Sequence, residues 1–246
     1  MLKNDRGFAS IYCLFAVGLF SMMLVTTSFV RFAFESKTDF RYFCFQDLKD
    51  AQKHLVDGET ALLKLNPLAT TLRLQLKILY ISLAAAVASE NVPLVIQIQK
   101  TIQQTKQEQR ALDTRQKWLI RSVQLFAGSK LNLSLMSLRQ KQVQQSRIWS
   151  ALLQISESVT TNTLNPHLSI SPDVAGDVAP VYRLDPDFET QQTIKAHWSI
   201  WFFAKSEFQR LISTHQNWSF ECAVRPEQKS NSIIPQISVQ ITADRL

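Results

Sequence analysis

The apolar positions of the chain fall into two unlike regimes. Over residues 7–30 the sequence reads GFASIYCLFAVGLFSMMLVTTSFV, with neither a charge nor a proline. A helix rising about 1.5 Å per residue carries such a stretch across roughly 36 Å, enough to cross a hydrocarbon core of about 30 Å with some tilt. A secretory signal ends in a small-x-small cleavage site, whereas Phe29, Phe32 and Phe34 occupy that region here. The pattern predicts an uncleaved transmembrane helix over 7–30 behind a short basic leader, residues 1–6.

From residue 31 the pattern becomes amphipathic. Phe40, Phe43, Leu48, Ala51, Leu55 and Leu62 recur at helical spacing, with Asp47, Lys49, Asp50, Lys53 and Asp57 between them. The membrane helix is expected to run on into this segment as one rod, with Gly58 as a break. Asn66-Pro67 signals a second helix, with Asn66 as its cap and Pro67 in its first turn. Its apolar run over 78–88 is too short to span a bilayer and reads as a buried helix. A third helix follows over 93–127, with a heptad-like seam of Ile98, Ile102, Thr105, Gln109, Leu112, Gln116, Leu119, Val123 and Phe126. Gly128-Ser129 reads as its stop. A fourth helix, 131–158, completes a predicted antiparallel hairpin over 93–158, with Leu135, Leu138, Val143, Trp149, Leu152 and Ile155 on its inner face. The helical region is thus 31–158.

Thr, Asn, Ser and Pro punctuate an expected linker over 159–192. Strand-like alternation then appears in Ile194, Ala196, Trp198, Ile200 and Phe202, in Trp218, Phe220 and Cys222, and in Ile237, Val239 and Ile241. A short helix is expected over 207–214. The region 193–246 is therefore read as a small antiparallel sheet packed on the helices, with Trp198 and Trp201 as core or sheet-surface aromatics. The fold class is α+β: a transmembrane helix, a mainly helical domain with a long hairpin, then a small C-terminal sheet.

Charge adds one feature. The net +7 is concentrated in residues 91–158, where lysines and arginines alternate with glutamines. That block is either a solvated helix face or an anion-binding one, and no nucleic-acid motif accompanies it. Of the three cysteines, Cys13 lies in the apolar helix, leaving Cys44 and Cys222 as the one pair available to the domain. In an oxidising compartment they would form a disulfide; otherwise they are two buried thiols.

Catalytic and ligand-binding patterns are missing from the sequence. His54, His167, His197 and His215 have no metal-ligand spacing, and no C-x-x-C, G-x-G-x-x-G, P-loop or G-x-S-x-G is present. The acidic trio Asp185, Asp187 and Glu189 is interrupted by Pro186 and reads as a solvated turn. The sequence points to no enzyme, cofactor, metal, nucleic acid or small-molecule substrate, and to the membrane and other proteins as partners.

The junction residues carry a resemblance. The leader MLKNDRGF, with Arg6-Gly7 before Phe8 and a long apolar helix, resembles the N-terminus of type IV pilin-like proteins, TadE/TadG-like assembly proteins and minor pseudopilins among them. The resemblance covers residues 1–35. It implies cleavage by a prepilin peptidase after Gly7, leaving Phe8 first, and a role in a pilus or secretion filament. Independently of it, basic residues flank the apolar helix on both sides, and a short basic leader held in the cytoplasm, with the domain translocated across the inner membrane into the periplasm, is the simpler arrangement expected. Where the family has a glutamate five residues into the mature chain, this one has Tyr12, so polymerisation into a pilus shaft is not implied. The other reading is a membrane-tethered helical scaffold or sensor that binds another envelope protein.

Overall fold

A computed structural model describes residues 5–149, 153–174, 178–204, 216–229 and 232–234. The architecture is α+β, as the sequence predicts. Helix α1, Asp5–Tyr42, passes through a π-helical segment, Phe43–Leu48, into α2, Lys49–Leu63, without interruption. A two-residue turn leads to α3, Asn66–Ala88, and a tight turn to α4, Val92–Trp149. Within this helical run the apolar stretch near the N-terminus is exposed throughout, so by length and composition one helix there can cross a membrane.

The π segment has a local cause. Ser36, Phe40, Cys44 and Leu48 are all buried, a run of four-residue steps that drifts around an α-helix of 3.6 residues per turn. The wider π turn returns these side chains to one face.

Helix α4 runs antiparallel to everything before it. Ile98 and Ile102 pack with Ala86, Leu112 with Leu72, and Lys130 pairs with Asp50 at 2.8 Å. Lys141 approaches Asp39 at 3.7 Å. Its 58 residues make a helix of about 87 Å, matching the length of the ascending rod from residue 31 to 88 at the same rise.

Two glycines show why this pair stays helical where the sequence suggested breaks. At Gly58 a Cβ would lie 2.6 Å from both methyls of Val123, so the glycine sits inside α2 and lets α4 approach closely. Gly128 lies inside α4, where a Cβ would meet the 164–166 segment at ordinary contact distance, 3.5 Å from the Leu164 carbonyl oxygen. One helical glycine costs about 1 kcal/mol relative to alanine; Ala127 and Leu131 beside it are fully buried and outweigh that cost. The predicted hairpin over 93–158 is therefore corrected. The hairpin exists, but its arms are α3 and α4 and its turn lies at 89–91.

The C-terminal sheet is also redrawn. Its strands are β1, Leu153–Thr161, β4, Ile194–Ala204, and β5, Gln216–Val224, in the antiparallel order β1-β4-β5. Residues 153–158 were expected at the end of a helix because Ile155 continued a helical spacing. Ser156, Ser158, Val159, Thr160 and Thr161 are poor helix formers, and the burial of Val159 beside exposed Ser158 and Thr160 follows the two-residue period of a strand. The expected linker holds a small hairpin, β2, Ile170–Pro172, with β3, Tyr182–Leu184, and a short α5, Phe188–Gln191. A further pair, β6, Glu227–Lys229, with β7, Ser232–Ile234, follows β5. The strand expected around 237–241 and the helix over 207–214 lie outside the described residues.

The core sits where the lower rod, the C-terminal half of α4 and the sheet meet. Register places Val159, Trp198 and Phe220 side by side, and Ala196 beside Cys222. The inward set Val159, Ile194, Ala196, Trp198, Ile200, Cys222 and Val224 closes on Phe40, Phe43, Leu48, Leu131 and Leu135. The expected inner face of 194–200 is correct, and Trp198 is a core aromatic while Trp201 is 42% exposed.

Candidate functional site

The structure joins Cys44 and Cys222. Their sulfurs form a disulfide with Cα atoms 6.3 Å apart, tying the π segment to β5 across the core. Gly7 and Phe8, the expected cleavage junction, lie in the first turns of α1, and Tyr12 is exposed on the same helix. The two sets belong to separate places: one is a clamp in the domain, the other the start of the apolar helix.

The same sheet carries a polar node on β1. Glu157 on β1 accepts hydrogen bonds at one oxygen from Ser36 of α1, Trp198 Nε1 of β4 and Gln142 of α4. A single carboxylate thus joins four elements. Burial pushes its pKa up, against the three hydrogen bonds, and nearby Asp39 adds to the rise. Its second oxygen has no partner among the described residues.

A second buried carboxylate stands on α2. Glu59 accepts from the Ser169 backbone N–H at 3.2 Å and from Gln192. Burial pushes its pKa up to about 7, opposed by both hydrogen bonds and assisted by Asp185. Higher on the rod a clasp holds the 170–184 hairpin to α3. Asn66 spans Tyr182 with both ends of its amide, accepting from the N–H at 2.9 Å and donating to the carbonyl at 2.8 Å. Its side chain is spent on β3, so it does not cap α3 as expected. Arg73 grips Asp173 through two nitrogens, at 2.6 and 3.1 Å, and holds that carboxylate down to about 2.

Beyond the clasp, apolar surface is open. Leu74, Ile78, Ile81, Ala85 and Ala88 step along α3 at four- and three-residue intervals and are exposed, Ile81 by 63%. The run over 78–88 is thus an exposed face backed by a thin seam, not a buried helix. On α4, the inner seam from Ile98 to Gln116 is buried as expected. Phe126 and Val143, placed inside by the sequence pattern, are 54% and 52% exposed. Trp149 and Leu152 fall where no side chain is described.

The sequence reading missed Glu157, Glu59 and the outward apolar residues. A carboxylate set among apolar and β-branched neighbours, as in Ile155–Val159, was the available signal for the first. For the last it was a second heptad-spaced set on each helix. Among the described residues no group of three His, Cys, Asp or Glu side chains converges as a metal site. What the geometry offers is clamping and docking: a cross-linked junction, buried hydrogen-bonded carboxylates and long open apolar faces. No family model matches the chain, and no curated protein or solved structure matches it.

Proposed function

We propose that the chain is a non-enzymatic single-pass membrane protein that presents binding faces on a rigid rod outside the membrane, as a minor pilin-like component of a pilus or secretion-filament assembly. The observation that carries this reading is continuity. One uninterrupted helix leads from the apolar stretch into the domain, so the anchor and the scaffold are the same structural element. Arg6-Gly7-Phe8 supplies the pilin-like junction. The basic leader stays in the cytoplasm and the domain is exported across the inner membrane, where an oxidising compartment sustains the Cys44–Cys222 bond.

A second reading, a tethered scaffold that binds another envelope protein without entering a filament, is favoured by Tyr12 at the family's glutamate position. Intact mass of the protein from cells with and without a prepilin peptidase separates the two. A chain beginning at Phe8 supports the filament reading, and one still beginning at Met1 or Leu2 in the presence of the peptidase leaves the scaffold.

A further inference from the structure

The far side of α4 identifies a partner by its chemistry. On the near side, Ala127, Leu131, Leu135 and Leu138 are buried in the core. Pointing the other way, Trp118, Leu125, Leu133, Met136 and Val143 are 67, 73, 69, 66 and 52% exposed. At about 100° per residue they share one sector roughly 80° wide, the width of a helix-docking stripe. A helix apolar on both sides is the pattern of a layer with neighbours on both sides, and among the described residues this one has a neighbour on one.

Charge narrows what fits the open side. Residues 114–149 contain seven basic side chains, Arg115, Lys117, Arg121, Lys130, Arg139, Lys141 and Arg147, and no aspartate or glutamate. The three lysines are answered within the chain, by Asp113, Asp50 and Asp39. Arg115, Arg121 and Arg139 border the stripe. Arg139 gives one N–H to the Val159 carbonyl at 2.9 Å, and none of the three has a carboxylate at ion-pair distance among the described residues. A second copy using the same face would set arginine against arginine. The membrane that holds α1 is no better an occupant, because α4 lies along the rod that continues α1 and so stands up from that surface.

We propose that the outer face of α4 docks an acidic amphipathic helix of a partner protein. The partner's apolar side chains seat on the 118–143 stripe and its carboxylates meet Arg115, Arg121 and Arg139. This names the partner chemistry for the interaction role proposed above and rests on that reading only in needing α4 clear of the membrane. Leader processing and helix docking are measured separately, so either can fail alone.

The test uses the full chain in nanodiscs and two labelled synthetic amphipathic helices that differ only in glutamate or lysine beside the apolar seam. Anisotropy is expected to report binding of the glutamate helix, weakening as salt rises, and none of the lysine helix. Leu125→Ser with Met136→Ser, and separately Arg115→Gln with Arg121→Gln, should each weaken it by about ten-fold or more. All four positions are exposed, so the variants keep their fold, which circular dichroism checks. Four results overturn the proposal: equal binding of both helices, indifference to the stripe variant, preference of the same residues for free anionic vesicles, or a dimer that the stripe variant dissolves.

Discussion

The two halves of the rod share α4 as one partner, set against α1 and α2 below and against α3 above, and differ in what covers them. In the proximal half, 31–63 against 118–149, the seam between the helices is capped on its flank by the sheet, cross-linked by Cys44–Cys222 and pinned by Glu157. In the distal half, 66–88 against 92–116, the seam is a thin row, Ala69, Leu72, Ala86, Ile98, Ile102 and Leu112, with the clasp at its base. Leu74, Ile78 and Ile81 look outward there. Apolar content is similar in the two halves; the third layer is what turns one of them into a core. A two-helix seam buries one stripe per helix and leaves any second stripe for something else.

The largest break in this comparison comes from the clamp. Replacing Cys44 and Cys222 with serine removes a bridge between residues 178 apart in sequence, and the loop-closure model assigns such a bridge about 5 kcal/mol. Urea unfolding followed by tryptophan emission should show most of that loss; a shift under about 1 kcal/mol would mean that packing alone holds sheet to rod.

Next is Glu59. Its carboxyl is raised from 4.5 to about 7 in the folded chain, so between those values the folded state keeps a proton that the unfolded state releases. Its contribution to stability is then fully present below about 4.5 and is lost as pH rises through 7, by about 3 kcal/mol in all. Glu59→Gln should flatten that slope, and an unchanged slope would place the titration elsewhere.

Gly58→Ala forces a methyl into Val123 and should cost about 1–3 kcal/mol, read as a lowered melting temperature. The smallest effect belongs to the distal half. Ile81→Ser touches no buried seam and should stay within about 0.5 kcal/mol, whereas Ile200→Ala in the proximal core should cost about 2–5 kcal/mol. Comparable losses at both positions would abolish the distinction between covered and open halves.

Legibility followed the same division. Long periodic stretches, the apolar helix over 7–30 and the inner seam from Ile98 to Gln116, were readable because their period is set locally. The alternation of Ile194 to Ile200 was readable for the same reason. Gly128 and Gly58 were misread as punctuation, since their tolerance inside helices depends on what stands opposite, Val123 in one case and the 164–166 segment in the other. β1 was hidden because Ile155 fits a helical spacing as well as a strand's, and its pairing with Phe202 of β4 decides for the strand. Which of two apolar stripes faces inward is likewise settled by partners far away in sequence.

The central proposal is that one helix carries the chain across a membrane and holds a disulfide-locked domain in an oxidising compartment. The direct measurement is maleimide labelling of intact cells expressing a Cys13→Ala variant, before and after a thiol reductant. The account predicts no labelling of Cys44 or Cys222 before reduction, even once the protein is denatured, and labelling of both after the reductant has opened the bond. Free reaction of either cysteine without reductant, or protection of the domain from outside reagents under every condition, would contradict it.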